Sequence, residues 1–226
     1  VSIVSPKPQT TRDRIYGVLT TDEYQIVFED TPGVYKAAGL LNSRMQKTVE
    51  RTARDTDLIL FVLDGHDGLK DDDLNLLAKY AKIGAPLIVA LTKTDIMQNE
   101  ALPEELVAVS AVEGVSEIVP VSARKRRNVG ELLTAILGYL QESEYVFDPE
   151  AVSDKSEKFM IAEIMREKIL VGYDKEIPHG VAVTVNKFEK RPNGIYDVDL
   201  DIICEKTNHK AILIGKGGKA LKETST

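Results

Sequence analysis

Gln25-Ile26-Val27-Phe28-Glu29-Asp30-Thr31-Pro32-Gly33 decides how this chain is read: an apolar run that stops at a carboxylate and is followed by a turn of Pro and Gly. Ile26-Val27-Phe28 suits a buried strand, and Asp30 then falls at its carboxyl end, where open α/β sheets hold their ligands. An acid there reaches a hydrated magnesium ion, and Gly33, without a Cβ, lets its N–H approach a phosphate oxygen while Pro32 sets the approach. Alone, D-x-x-G is a common strand-to-loop turn.

Ile15 to Thr20 and Tyr24 to Glu29 read as two strands joined by Thr21-Asp22-Glu23, an antiparallel hairpin that brings Thr10-Thr11-Arg12 near Asp30. Leu40 to Arg54 reads as a polar helix. Leu58 to Asp64 is the continuous apolar run of a parallel strand covered on both faces. Helix Asp71 to Ile83, strand Pro86 to Thr92, helix Pro103 to Ser110, strand Glu117 to Ser122 and helix Val129 to Leu140 follow in regular alternation. That order predicts a mostly parallel sheet with helices on both faces. Every strand ends in polar residues, Asp30, Asp64, Thr92-Lys93-Thr94-Asp95 and Ser122-Ala123, which should share one rim.

After Gln141 the character changes. Phe147-Asp148-Pro149-Glu150 and the polar residues after it read as a linker to a second domain. Lys158 to Leu170 is an amphipathic helix with Phe159, Ala162, Met165 or Ile164, and Ile169 on one side. Val181 to Glu189 and Ile195 to Cys204 alternate as strands about Arg191-Pro192-Asn193-Gly194. A short strand, Ala211 to Ile214, is expected to run into Gly215-Lys216-Gly217-Gly218 and a helix. The domains expected are therefore 1–141, a linker 142–156, and 157–226.

Bulk properties narrow the function. The 226 residues are 43% hydrophobic, enough for a sizeable core, and a net charge of -7 restricts any nucleic-acid contact to a local patch. A single cysteine, Cys204, excludes an internal disulfide and a cysteine-based metal cage, and suits core packing in a reducing compartment. No run approaches the roughly 18 apolar residues that span a bilayer. His66, His179 and His209 lack metal spacing. Arg124-Lys125-Arg126-Arg127 sits before a helix, where a solvated loop is the ordinary role of such a run.

Base choice points to guanine. An aspartate two residues after a lysine accepts from both the ring N–H and the exocyclic amine of guanine, and adenine offers no matching pair; bidentate pairing of this kind discriminates by roughly 1–3 kcal/mol. The stem of Lys93 lies along the base, and the Ala123 N–H donates to the guanine carbonyl oxygen. Asp95 sets base identity.

With these residues in order, the chain resembles the Era-like GTPases, a Ras-like family of the translation-factor class with a C-terminal KH domain, along nearly its whole length. The resemblance is carried by Pro8-Gln9-Thr10-Thr11-Arg12, Asp30-Thr31-Pro32-Gly33-Val34, Thr92-Lys93-Thr94-Asp95, Ser122-Ala123-Arg124, Tyr145 to Glu150, Arg166-Glu167-Lys168, Glu176-Ile177-Pro178-His179 and Ile214 to Gly218. It implies a P-loop-type GTPase domain followed by an α+β type II KH domain, with GTP or GDP and Mg2+ as ligands. By resemblance, Gln9, Thr10, Thr11 and Arg12 are switch residues, Thr11 and Asp30 serve the metal, and Gly33 senses the γ-phosphate. The guanine nucleotide is held by Asp30 to Val34, Thr92 to Asp95 and Ser122 to Arg124.

Gly215-Lys216-Gly217-Gly218 is then the G-x-x-G of a KH domain, whose glycine backbone clamps about four nucleotides of single-stranded nucleic acid. Lys216 and Lys219 add charge. The family implies small-subunit ribosomal RNA and the 30S subunit as partners, a role in ribosome assembly, a monomer, and a cytoplasmic protein with peripheral membrane contact. The other reading is an RNA-binding module on a GTPase-like scaffold without turnover.

Four features qualify the expectation. Thr92 stands where the family usually has Asn, and a hydroxyl replaces only part of an amide's bonding, so weaker nucleotide affinity is expected. G-x-x-x-x-G-K-[ST] does not occur in these residues; the family places it about 30 residues of β-loop-α ahead of Val1, and without it GTP binding is expected to be poor. Glu223 to Thr226 also leaves the family's pattern, in which the KH helix continues. Val34 follows Gly33 where Ras-like enzymes carry the glutamine that orients the attacking water, so slow intrinsic hydrolysis is expected and no catalytic residue is assigned.

Overall fold

Ile15–Thr20 (β1) and Gln25–Asp30 (β2) pair antiparallel in the register Ile15↔Asp30 to Thr20↔Gln25. The Thr21 amide donates to the Tyr24 carbonyl across the turn at 2.9 Å. The computed structural model describes residues 2–5, 7, 10–31, 49–98, 101–174 and 177–225. It divides into two units, Val1–Tyr35 with Glu144–Thr226, and Lys36–Ser143.

The hairpin therefore belongs with the C-terminal half, and the stretch expected as a linker is the reason. Gly17 bridges Ser153, and the Val18 amide donates to the Val152 carbonyl at 3.0 Å, so this stretch runs along the free edge of β1. The Gln25 side chain donates to the Phe147 carbonyl and accepts from the Val146 and Phe147 amides, while Tyr145 Oη donates to the Thr21 carbonyl. One half-buried glutamine thus uses both ends of its amide to pin the segment.

In the second unit, residues 49–54 are helical; residues 40–48 of the helix expected there lie outside the described residues. Ile59–Asp64 (β3), Leu87–Thr92 (β4) and Glu117–Pro120 (β5) form a parallel sheet in the order β3-β4-β5, interleaved with Asp71–Ala81 (α1), Ala101–Ser110 (α2) and Val129–Leu137 (α3). Leu87, Ile88, Val89, Ala90 and Leu91 are all buried in succession, which requires cover on both faces of β4. Each of the four larger side chains contributes about 1.5–3 kcal/mol by leaving water, so this strand anchors the unit. Asp71, Asp72 and Asp73 crowd the first turn of α1, where the helix dipole favours negative charge.

The C-terminal region is Glu157–Gly172 (α4), Val181–Lys190 (β6), Tyr196–Cys204 (β7), Thr207–Ile214 (α5), a 3-10 turn Lys216–Gly218, and Lys219–Ser225 (α6). Ser156 caps α4 by accepting from the Phe159 amide. Strands β6 and β7 pair antiparallel with a bulge between Val185 and Lys187, across a turn in which Gly194 has φ 83°. Ile169, Val181 and Leu213 form the core, with Met165 and Cys204 packed against it, the role expected for the lone cysteine.

One expected element is corrected: Ala211 to Ile214 is the end of helix α5, not a strand. Ile-Leu-Ile has strand propensity, but only His209 and Leu213 are buried here, a spacing of four that belongs to one helical face. Burial overrode local preference.

Candidate nucleotide and nucleic-acid sites

The carboxyl ends of β3 and β4 and the residues after β5 carry Asp64, Thr92 to Asp95 and Ser122-Ala123, the residues expected to read guanine; Asp30, expected on the same rim, instead ends β2 of a separate two-stranded sheet in the other unit. Thr92 Oγ1 donates to the Leu63 carbonyl at 2.8 Å, tying the end of β4 to that of β3. The chain then turns sharply, with Lys93 in the left-handed region at φ 61° and its ammonium paired with Asp64. Burial pushes the Asp64 carboxyl up, but Lys93 and the His66 amide outweigh it and the net shift is downward.

Two residues on, Asp95 accepts from Ser122 Oγ at 2.6 Å. Ser122 is fully buried and its hydroxyl also accepts from the Lys125 amide at 3.1 Å. Residues 122 and 127 bond each other through both backbone groups, so Ala123 and Arg124 sit on a closed, narrow turn. The Ser122 bond, assisted by Lys125 and Arg124, holds the Asp95 carboxyl below the usual carboxylate range against an opposing effect of burial. The result is an ionised carboxylate fixed at the strand end, with acceptor capacity left on both oxygens for a pair of donors. Thr94 is held by its amide to the Val121 carbonyl at 3.3 Å.

Beneath this rim lies Glu105 of α2, which no sequence pattern singled out. It is buried, its Oε2 has no hydrogen-bond partner, and burial pushes its carboxyl up while the Leu69 amide opposes and the Asp64 charge adds to the rise. A Cβ on Gly65 would stand 2.5 Å from Met97 Sδ and 3.1 Å from Glu105 Oε2, so the backbone after Asp64 passes close against these two side chains.

In the other unit, Thr11 Oγ1 donates to Asp30 Oδ2 at 3.2 Å, uniting the two residues expected at the metal. Thr31 follows β2 and is half-buried. Gln9, Pro32, Gly33 and Val34 lie outside the described residues. Thr10 and Arg12 flank Thr11 and bond to α4 and to the turn before β6: Arg166 Nη2 donates to the Thr10 carbonyl, and Arg12 donates to the carbonyls of Pro178, His179 and Val181.

The G-x-x-G segment joins two helices, not a strand and a helix. Gly215 ends α5 with φ 70° and ψ 179°, and a Cβ there would meet Ala220 Cβ at 2.6 Å. Gly217 and Gly218 have φ 61° and 77°, and a Cβ on either meets nothing within 4 Å. The first glycine is thus required by packing, and the later ones hold a backbone that stands open to a ligand. Lys216 and Lys219 are exposed beside it, and Ile212 and Ile214 expose apolar surface on the preceding helix.

Comparison with known proteins agrees with both halves. A family model described as 50S ribosome-binding GTPase matches residues 1–93, and a KH domain model matches residues 176–226. GTPase Era of Clostridium kluyveri is 39% identical over 226 residues, covering 100% of this chain and 77% of the relative. GTPase Era of Clostridium perfringens is 38% identical over 223 residues, covering 99% and 75%. Among solved structures, an Aquifex aeolicus Era variant bound to GDP and AlF4- superposes with a TM-score of 0.90 at 34% identity, covering 99% of this chain and 77% of that one. Era in complex with MgGDPNP and nucleotides 1506–1542 of 16S ribosomal RNA superposes with a TM-score of 0.91 at 33% identity, covering 100% and 77%. With strand ends that fix an ionised Asp95, a G-x-x-G set between two helices and this agreement along the whole sequence, the chain belongs to the Era family of GTPases.

Proposed function

We propose that this GTPase is a guanine-nucleotide switch that binds the 3′ region of small-subunit ribosomal RNA through its KH domain and assists 30S assembly. The GTPase domain is assigned to 1–141, the linker to 142–156 and the KH domain to 157–226. The observation that carries the nucleotide reading is Asp95: its carboxylate is ionised and held by a fully buried serine at the end of a parallel strand. An acceptor fixed in this way reads the paired donors of guanine, because the wrong base leaves it unpaired. Thr92, Lys93, Thr94, Ser122, Ala123 and Arg124 complete the base site. Asp30 to Val34 serve the phosphates, with Gln9 to Arg12 as the switch.

Magnesium fits the oxygen pair of Thr11 and Asp30. The ion takes hard oxygen ligands, keeps several waters, and uses only one or two protein groups when phosphates supply the rest. The two side chains are already in contact. Bound there, the metal neutralises phosphate charge; the protein's part is to place the hydroxyl and the carboxylate. In the RNA site, Gly215, Lys216, Gly217, Gly218 and Lys219 form the clamp, and the 16S fragment bound by the similar Era is the ligand class expected. No helix among the described residues is long and apolar enough to cross a membrane. We place the protein in the cytoplasm as a monomer, with any membrane contact peripheral.

The deciding experiment is Asp95→Asn in the full-length protein. An amide reverses one of the two hydrogen bonds, so preference should move from GTP toward xanthosine triphosphate by roughly the 1–3 kcal/mol of a bidentate pair. Competition binding measures it, and unchanged GTP selectivity would remove Asp95 from the site.

A further inference from the structure

The segment that carries Thr11 is fastened to the KH domain on both sides of that residue. Arg12 Nη1 donates to the Val181 carbonyl at 2.8 Å, and Nη2 to those of His179 and Pro178 at 2.9 and 3.2 Å. Arg166 of α4, only 4% exposed, donates from Nη2 to the Thr10 carbonyl at 2.5 Å and is gripped by Glu163 through Nε and Nη2. Further up the segment, the Val4 amide donates to Glu167, and Lys7 reaches the Tyr173 carbonyl and Asp174.

These acceptors matter because of where they sit. Val181 opens β6 and is buried in the core with Ile169 and Leu213; Leu213 lies two residues ahead of Gly215. Arg12 is therefore bonded to the backbone of the same packed cluster that ends at the G-x-x-G turn. Charge adds a second feature. Arg166 Nη1 is buried without a hydrogen-bond partner, and burial followed by the Arg166 charge lowers the Arg12 pKa against the opposing charges of Glu163 and Asp13. With hydrogen bonds from the KH region on both sides of it, Thr11 has a direct path to the backbone that leads into this cluster.

We propose that Thr10-Thr11-Arg12 is the mechanical link through which nucleotide state and RNA binding bias one another, with Arg12 as the coupling residue. The proposal rests on the reading of Thr11 as a switch residue. If Thr11 shifts with nucleotide state, Arg12 would carry the displacement to the Pro178–Val181 backbone, and RNA on the KH domain would act on Thr11 by the reverse path. Linkage requires the two effects to be equal.

The test uses full-length wild type, Arg12→Gln and Arg12→Lys, with nucleotides 1506–1542 of 16S RNA as probe. RNA affinity is measured with GDP and with GDPNP, and GDPNP affinity with and without RNA. Wild type should show a nucleotide effect of about fivefold or more, equal in both directions. In Arg12→Gln the ratio should fall to within about twofold of one while RNA affinity in GDP stays near wild type. Arg12→Lys, with a point charge in place of a fork, should lie between them. A wild-type ratio retained by Arg12→Gln overturns the link, as does a wild-type ratio of one, or a loss of RNA binding equal in both nucleotide states. Failure of the functional reading looks different: wild type then binds no GDPNP or no RNA at all.

Discussion

Replacing Gly215 by alanine should strongly destabilise the RNA-binding region, whereas replacing Gly217 by aspartate should leave it nearly as stable but binding RNA far more weakly. Gly215 has φ 70° and ψ 179°, a region open in practice to glycine alone, at a cost of about 1–3 kcal/mol for any other residue. Its new Cβ would also stand 2.6 Å from Ala220 Cβ and 3.1 Å from the Ala220 amide nitrogen, and overpacking of this kind costs about 1–3 kcal/mol more. Together these approach half of a typical domain's stability of roughly 5–15 kcal/mol. For a unit of this size the melting temperature should fall by about 10 °C or more. At Gly217, φ 61° and ψ 25° lie in the ordinary left-handed region, and a Cβ meets nothing within 4 Å. Aspartate tolerates that conformation at about 1 kcal/mol, so melting should drop by only a few degrees. Its carboxylate, however, would face RNA phosphate about 4 Å away, a repulsion of roughly 1–4 kcal/mol depending on solvent access, or five- to several-hundred-fold in affinity. Calorimetry and a gel-shift titration with the three proteins side by side measure both numbers. If Gly215→Ala melts no lower than Gly217→Asp, or Gly217→Asp binds RNA as wild type does, the division of labour within G-x-x-G is wrong.

Ser122→Ala should move the acid limb of guanine binding to higher pH. The folded pKa of Asp95 is depressed chiefly by the Ser122 bond, so its recognition is present above the usual carboxylate range and lost only as pH falls through the lowered value; without the hydroxyl that loss starts earlier. GDP affinity titrated against pH reads the shift, and superimposable profiles would show that Ser122 does not hold the acid. Thr92→Asn should strengthen GDP binding about two- to tenfold, the yield of one further net hydrogen bond, because Thr92 spends its only donor on the Leu63 carbonyl. Calorimetry showing equal or weaker binding would clear Thr92 of the expected deficit.

Much of the architecture was legible because burial leaves a pattern in the side chains. The runs at β3 and β4 show no alternation, as strands covered on both faces should, and the hairpin turns at residues 21–24 and 191–194 carry their usual residues. Ala211 to Ile214 misled because Ile-Leu-Ile suits a strand locally, whereas its burial is set by His209, outside the run that was read. The fastening of Arg12 and Arg166 was illegible for a different reason. Their partners are backbone carbonyls 156 to 169 residues away, and a carbonyl has no residue identity to notice. Gln25 was missed on the same ground, since it pins residues 146 and 147 by main-chain groups.

Lys93 shows how magnitudes separate a turn from a site. A non-glycine residue at φ 61° costs about 1–2 kcal/mol. Its ion pair with Asp64 joins side chains 52% and 41% exposed, and such pairs contribute about 0–1 kcal/mol. The pair alone does not offset the strain, and glycine or asparagine would adopt this conformation at lower cost. What lysine adds is a four-carbon stem held at the end of β4, two residues before the fixed carboxylate of Asp95, where the flat face of a base needs an apolar support. Strain kept at such a position is what the proposed role of Lys93 beside the base would lead one to expect. On the proposed reading Asp64 takes the ammonium and so leaves the Asp95 carboxylate to the base.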